Sequence, residues 1–326
     1  MIRFGIIGRN FITEWMLKAM AVVDGIEPAV IYSRDPEAAK EFAAAHGIPG
    51  SCGSLEELAA NPDIDAVYIA SPNGLHYEQA KMMLNHGKHV LVEKPACANA
   101  AQLRELLALA KEKNLVLLEA MRTVYDDALD IIEQTLPMIE PLCQVRFNYG
   151  KRSSRWERFL REGEKVNTFN PKLSNASVMD LGCYGIHALV RLFGRPQSVS
   201  AQSVKLANGF EAFGTVLLNY GGFIAEVSYS KIHNIPGDSY LAGMNGTILL
   251  NNIGDTAWIK LHTDDKEVDL GYKEKSPNNM PGELEAFKRF TAGESDPGSV
   301  QEYSLITAEI IDEVRRQSNI VFPGDK

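Results

Sequence analysis

Residues 65 to 95 constrain the fold of this 326-residue chain more tightly than any other stretch. Ala66 to Ala70 is a short apolar run with valine and isoleucine, the composition of a strand buried on both faces. Ser71-Pro72-Asn73-Gly74 is dense turn chemistry, Tyr77 to Leu84 has helical spacing, and His86-Gly87 supplies a helix-ending glycine. Val90 to Val92 is a second buried strand. It stops at Glu93-Lys94-Pro95, because proline cannot donate to a sheet ladder. The result is a β-α-β unit with polar residues at the carboxyl ends of both strands, where open parallel sheets keep their ligand crevice.

The flanking sequence repeats that alternation. Arg3 to Trp15 reads as a strand, a turn at Gly8 and a helix start. Ile26 to Tyr32 is a strand, Pro36 to Ala45 and Leu55 to Ala60 are helices, Ala100 to Lys113 is a helix, and Leu115 to Glu119 is again a buried strand. After Thr123 the pattern changes. An amphipathic helix at Asp126–Ile139 precedes a long strand at Leu142–Lys151, and Phe213–Tyr220 and Phe223–Lys231 form a hairpin around Gly221-Gly222. Further strands are expected at Gln197–Val204, Gly246–Leu250, Ala257–Leu261 and Glu267–Leu270, with helices at Gly282–Phe290 and Val300–Arg316. The fold class is therefore α/β: an N-terminal doubly wound Rossmann domain (residues 1–121) plus a C-terminal α+β domain with a mostly antiparallel open sheet (residues 122–326).

Charge and composition narrow the function. The formal net charge of -9 argues against a nucleic-acid surface. No apolar run approaches the roughly 18 residues needed to span a membrane. The chain enters a strand at Ile2, so no signal peptide is expected. Cys52, Cys97, Cys143 and Cys183 show no metal spacing and are expected as reduced thiols of a cytoplasmic protein, with no metal site. Gly8 sits where a dinucleotide fingerprint has its tight turn, although an ordinary strand-to-helix turn would read the same way. At the end of the second strand Ser33-Arg34 suits the 2′-phosphate of NADP, while an acidic residue there would hold the ribose hydroxyls of NAD. Asp35 comes one residue late and is read as an N-cap ahead of Pro36.

Ser71-Pro72-Asn73, Leu75-His76, Gly87-Lys88-His89-Val90 and Glu93-Lys94-Pro95, in that order and spacing, closely resemble the glucose-fructose oxidoreductase / inositol dehydrogenase / MocA family. Its pattern expects a second glycine at position 10 and a small residue at 13, where this chain has Asn10 and Thr13. Asparagine tolerates a left-handed backbone, so the turn can survive, but its side chain adds bulk where a pyrophosphate approaches. A second family motif is matched by Asp180-Leu181-Gly182-Cys183-Tyr184. Its tyrosine form is similar to the branch holding dimeric dihydrodiol dehydrogenase and NADP-dependent xylose dehydrogenase. The glycine run that often precedes the aspartate is replaced by Ser174 to Val178.

Read from spacing alone, Asp180, Tyr184 and His187 fall on one face of a helix over Met179–Arg191. Each also has an ordinary account, as N-cap, half-buried aromatic and core histidine, and Lys94 could be a solvated lysine at a strand end. The resemblance implies Lys94 and Tyr184 as the catalytic pair, with Asp180 and His187 in support. It implies cofactor contacts from Gly8, Arg9, Asn10, Phe11, Ile12, Ser33, Arg34, Ser71, Pro72, Asn73, His76, Glu93, Lys94 and Arg122. The pair makes chemical sense. A free tyrosine titrates near 10, and a lysine ammonium within about 4–6 Å favours the phenolate. Asp180 would hold Lys94 or a substrate hydroxyl, and His187 would bind substrate or relay the proton outward. The expected activity is NADP-dependent oxidoreduction of a sugar, polyol or related diol, with NAD as the alternative cofactor, in a homodimer or higher homo-oligomer paired through an open sheet face. The family also contains a galactose repressor, so a non-catalytic sensor stays open, as does a binding module with no cofactor.

Overall fold

The computed structural model describes residues 1–272 and 278–325. The first part of the chain alternates strictly. The order is β1 (Ile2–Ile7), α1 (Phe11–Met20), β2 (Ile26–Tyr32), α2 (Pro36–His46), β3 (Gly50–Cys52), α3 (Leu55–Ala60), β4 (Ala66–Ile69), α4 (His76–Asn85), β5 (His89–Glu93), α5 (Ala100–Glu112) and β6 (Leu117–Ala120). The strands form one parallel sheet in the order β3-β2-β1-β4-β5-β6. β4 and β6 are buried at every position and β5 at all but its first, as their unbroken apolar runs require. The order reverses between β1 and β4, which is the switch point where such sheets bind ligands. Asp35 caps α2, accepting from the Glu37 and Ala38 amides at 3.2 Å, with Pro36 at the first helical position. The three-residue β3 was not expected from sequence. It pairs with Val30 to Tyr32 and is too short to carry a pattern of its own.

The second part runs α6 (Asp127–Thr135), β7 (Leu142–Gly150), α7 (Trp156–Glu162), a π-helical turn at Val178–Gly182 continued by α8 (Cys183–Phe193), β8 (Ser198–Lys205), β9 (Glu211–Asn219), β10 (Ile224–Ser230), β11 (Ser239–Gly243), β12 (Gly246–Leu250), β13 (Ile259–His262) and β14 (Glu267–Asp269). These eight strands form a second sheet, ordered β14-β13-β12-β11-β7-β10-β9-β8. All its pairings are antiparallel except β7 with β10. Ala225, Val227 and Tyr229 of β10 are buried under α8, while Ile224 is 52% exposed on the opposite face. At the edge strand β8, the Gln317 amide accepts from the Ala201 N–H (2.8 Å) and donates to the Val199 carbonyl (2.9 Å). It continues the ladder in place of another strand and blunts the edge.

Two helices close the chain, α9 (Pro281–Thr291) and α10 (Gly298–Gln317). The chain forms two compact units, residues 1–125 with 278–302, and residues 126–277 with 303–326. Residues 278–302, grouped by sequence with the second domain, thus pack with the first sheet. The reason is apolar burial: Met280, Leu284 and Phe287 join one core with Phe4, Tyr68 and Leu118, and the Phe287 ring lies 5.4 Å from that of Phe4.

Candidate active site

In the first unit the β1–α1 turn is built around Gly8. Its φ is +118°, and a Cβ there would lie 2.6 Å from the Ala70 carbonyl oxygen, so only glycine fits. Asn10 does not take the left-handed conformation considered above. It is extended (φ −107°, ψ 178°) and caps α1, its side-chain oxygen accepting from the Ile12 (2.9 Å) and Thr13 (3.2 Å) amides. Its amide nitrogen donates to the Ala70 carbonyl at 2.9 Å. The extra bulk is therefore folded back onto the protein, and Thr13 is fully buried on the inner side of the helix. Phe11 is exposed. Arg9 reaches across to the first turn of α2 and donates to the Ala38 carbonyl at 3.4 Å. That brings it toward Ser33 and Arg34 at the end of β2, where Arg34 is exposed and the Ser33 hydroxyl accepts from the Asp35 amide. The Asp35 carboxylate is engaged at the start of α2.

His76, expected among the cofactor contacts, is fully buried. One ring nitrogen lies 3.0 Å from the Pro95 carbonyl and the other 2.8 Å from the Ser71 carbonyl. It braces the Ser71-Pro72-Asn73 turn against the segment that follows Lys94, and burial holds its pKa below the ordinary histidine value. Lys94 itself follows the last residue of β5 and is half-buried. Beside it, Glu93 accepts from the Tyr68 hydroxyl at 2.7 Å, and burial raises its carboxyl. Sequence reading missed three members of this buried set. They are Tyr68 in β4, Glu119 in β6, which accepts from the Ala96 amide at 2.8 Å, and Glu283 from α9. Glu283 is 0% exposed, and neither carboxyl oxygen has a hydrogen-bond partner among the described residues. Burial and the nearby Glu93 push its carboxyl well above the ordinary carboxylate range. Arg122 donates to the Asn279 side chain at 2.9 Å.

In the second unit the expected helical stripe is not a regular α-helix. The Cys183 amide reaches back to the Val178 carbonyl, five residues away, so Asp180 and Gly182 lie in a π turn, a distortion frequent at functional sites. The turn presses onto β10. A Cβ on Gly182 would lie 2.8 Å from the Tyr229 ring, and one on Gly185 would lie 2.7 Å from Val227. The three stripe residues then take three different neighbours. Asp180 forms an ion pair with Lys231, just past β10. Tyr184 sets the edge of its ring against Tyr149 of β7, centroids 5.5 Å apart. The Tyr149 hydroxyl donates to Asp255 at 2.8 Å, and Lys151 lies 3.5 Å from the same carboxylate. His187 is 1% exposed beside the Tyr303 ring, and neither ring nitrogen has a hydrogen-bond partner among the described residues. Burial lowers its pKa to about 3, so the ring is neutral. A neutral imidazole with no hydrogen-bond partner among the described residues does not support the expected proton relay through His187.

Glu211, the first residue of β9, holds the π turn from below. It is 1% exposed and accepts from the Val178 amide at 3.0 Å, while Ser177 donates to the Ala212 carbonyl at 2.6 Å. Burial pushes the Glu211 carboxyl up to about 7. Between pH 4.5 and 7 the folded state therefore binds this proton more tightly than the unfolded chain. The contribution is fully present below the unfolded value and lost as pH rises through the folded one, a cost of about 3 kcal/mol. Glu211→Gln removes the titration, so in urea unfolding at pH 5 and pH 8 the variant should lose less stability over that interval than wild type. Equal losses would show that Glu211 titrates normally.

Residues 2–121 match the model of the GFO/IDH/MocA oxidoreductase family with an NAD-binding Rossmann fold, and residues 143–249 match the GFO/IDH/MocA C-terminal domain. A scyllo-inositol 2-dehydrogenase (NADP(+)) of Bacillus subtilis is 38% identical over 330 residues, spanning 100% of both chains. A trans-1,2-dihydrobenzene-1,2-diol dehydrogenase of Xenopus tropicalis is 28% identical, covering 98% of this chain and 99% of its own. Among solved structures, a 3-ketoreductase from Actinomadura kijaniata in complex with NADP and TDP-benzene superposes with a TM-score of 0.87 at 22% identity, covering 98% of this chain and 99% of its own.

Proposed function

Because the chain belongs to the GFO/IDH/MocA oxidoreductase family, we propose that it is an NADP-dependent dehydrogenase of a cyclic polyol of the inositol type, with Lys94 and Tyr184 as its reaction pair. The observation that carries the substrate class is the polar wall around Tyr184. Two carboxylates, Asp180 and Asp255, keep 34% and 40% of their side chains exposed there, each beside an ammonium group. Carboxylates accept hydrogen bonds from hydroxyls and gain nothing from an apolar ring, so a substrate with several hydroxyls fits this wall best. The first domain binds the cofactor and the second carries the substrate wall.

The residues of the first unit fit a nicotinamide dinucleotide. Gly8 permits the close turn that a Cβ would fill, and Arg9 and Arg34 bring positive charge to the end of β2 while Asp35 is occupied as a cap. The bound nicotinamide supplies the hydride acceptor. The protein binds and orients the substrate and handles the proton. Tyr184 takes the hydroxyl proton as the alcohol is oxidised, and Lys94 orients the hydroxyl and favours the phenolate. Glu93, bonded to Tyr68, braces the strand end from which Lys94 projects, and Asp180 and Asp255 receive the remaining substrate hydroxyls.

The test is a screen of inositols, aldoses and simple diols with NADP+ and NAD+, following absorbance of the reduced nicotinamide. Turnover of an inositol with NADP+ is expected, whereas turnover of simple diols alone would overturn the substrate class. Arg34→Ala should cost about 1.5–3 kcal/mol of NADPH affinity, the worth of a hydrogen bond to a charged group. Arg34→Asp should invert the cofactor preference. Tighter NADH than NADPH binding by the wild type, in a fluorescence titration, would mean that Arg34 is not the selector.

A second copy pairs with the open face of the eight-stranded sheet, where Val204, Leu217 and Ile224 are 49%, 45% and 52% exposed. Light scattering at micromolar concentration should return at least a dimer, and a monomer mass would refute the pairing. The four free thiols fit a cytoplasmic enzyme, which cell fractionation can test.

A further inference from the structure

The π turn at Val178–Gly182 starts without a cap of its own. Ser177 stands at the N-cap position, but its backbone is already helical (φ −66°, ψ −33°) and its side chain makes no capping bond. Its hydroxyl donates instead to the Ala212 carbonyl on β9, at 2.6 Å. The Val178 amide, first in the turn, needs another acceptor, because a buried N–H without one is costly. Glu211, the residue before Ala212, accepts from it at 3.0 Å across 33 positions of sequence. Two consecutive residues of β9 thus hold two consecutive residues at the start of the turn. A local serine or asparagine caps a helix at little cost. A glutamate that is 1% exposed is a costly cap, since its charged form loses its water. The turn it holds carries Asp180 and leads directly into Tyr184 on α8.

We infer that Glu211 is a positioning residue for the reaction: its carboxylate anchors the start of the π turn on β9 and so fixes where Asp180 and Tyr184 stand. The inference rests on the reading of Tyr184 as the proton-transferring group. The far end of the turn is fixed by contact, as a Cβ on Gly182 would meet the Tyr229 ring at 2.8 Å. The near end is fixed by the Glu211 bond. A helix N-terminus favours an anion, and a bond to a carboxylate is about twice as strong as one to a neutral acceptor. The Tyr229 hydroxyl of β10 lies beside the carboxyl and favours its charged form. On the turn Asp180 pairs with Lys231, on α8 Tyr184 packs against Tyr149 of β7, and on β8 the register partner Lys205 bonds the Asn319 carbonyl. Burial brings the Glu211 carboxyl to about 7, so the anchor changes strength across neutral pH. The carboxylate predominates above that value. Its hold on the turn therefore grows as pH rises, while its contribution to stability falls. Stability and turnover move in opposite directions, which a purely structural glutamate would not produce.

The experiment compares wild type, Glu211→Gln, Glu211→Leu and Tyr184→Phe with an inositol and NADP+. It reads turnover at saturation between pH 5 and pH 8, stability in urea, NADPH affinity, and hydrogen–deuterium exchange over residues 177–184. Glu211→Gln keeps an acceptor for the Val178 amide and removes the charge. It should lose less stability than wild type between pH 5 and pH 8, yet gain less turnover over the same interval. Glu211→Leu removes the acceptor. It should lower turnover at pH 8 by up to about a hundredfold, the cost of a displacement of about 1 Å at a reacting group. Exchange at residues 177–184 should be faster in it, and NADPH affinity unchanged. If Glu211→Leu does not fold, Glu211→Gln carries the test through its pH profile. Wild-type turnover and wild-type exchange in Glu211→Leu, or a wild-type rise of turnover with pH in Glu211→Gln, overturns the proposal. Tyr184→Phe separates the two levels. If it keeps wild-type turnover, the functional reading fails and this inference falls with it. If it is inactive while the Glu211 variants match wild type, only the role of Glu211 is lost.

Discussion

Tyr184→Phe should lower turnover by about 10²–10⁴-fold, the usual worth of a general acid–base group, while leaving NADPH affinity and stability almost unchanged. The substitution removes one hydroxyl. The ring stays, and with it the edge-on packing against Tyr149 and the burial on α8 that hold the segment. A stopped-flow or steady-state comparison at saturating cofactor decides the matter. Turnover near the wild-type value would remove Tyr184 from the reaction. With His187 buried, neutral and without a hydrogen-bond partner among the described residues, the base would then have to be sought at Asp180 or Asp255.

Under the proposed pairing, Lys94→Ala should be at least as damaging, because it would remove both the charge that favours the phenolate and a contact to the substrate. Two further outcomes distinguish this role from a structural one. The limb of the oxidation rate should move to higher pH, since the Lys94 ammonium proposed to favour the phenolate is gone. The Lys94→Ala/Tyr184→Phe double variant should be little worse than the poorer single one, as groups that act together are strongly non-additive. The Glu93–Tyr68 hydrogen bond and the His76 brace do not depend on the lysine side chain, so the fold around β5 should survive. Multiplicative losses in the double variant would mean that Lys94 and Tyr184 act in separate steps.

The fold was legible where local pattern decides it. Apolar runs buried on both faces, turn residues between them and the stop at Pro95 were enough to place β1, β2, β4, β5 and β6 and to put Lys94 at the ligand end of a parallel strand. Asp35 as an N-cap was equally readable, because a cap is an interaction within three residues. The order of strands and helices after Leu142 followed from hairpin and helical spacing. Several elements escaped. β3 has three residues, β11 lies in a glycine-rich stretch, and α7 covers seven residues with no buried position, so none carries a period long enough to recognise.

The candidate site divides along the same physical line. Lys94, Tyr184 and Asp180 could be named from short motifs, and Gly8 from the turn it must make. What each side chain meets could not, since the partners come from distant sequence. Asp180 finds Lys231, Val178 finds Glu211, Tyr184 finds Tyr149 and through it Asp255, and Glu93 shares its buried pocket with Glu283 from a helix nearly two hundred residues later. The π turn is likewise a tertiary product: regular helical spacing aligned Asp180, Tyr184 and His187, but the extra residue in the turn sends them to three neighbours. Asn10 shows both sides at once. Its place at the β1–α1 turn was visible in the sequence, but only the nearby Ala70 carbonyl and the open amides of α1 decided that its side chain folds inward. Local hydrogen-bond geometry and apolar periodicity act within a few residues, and the sequence by itself determined what they govern. Burial, charge pairing and close approach act across the folded chain, and those the tertiary structure decided.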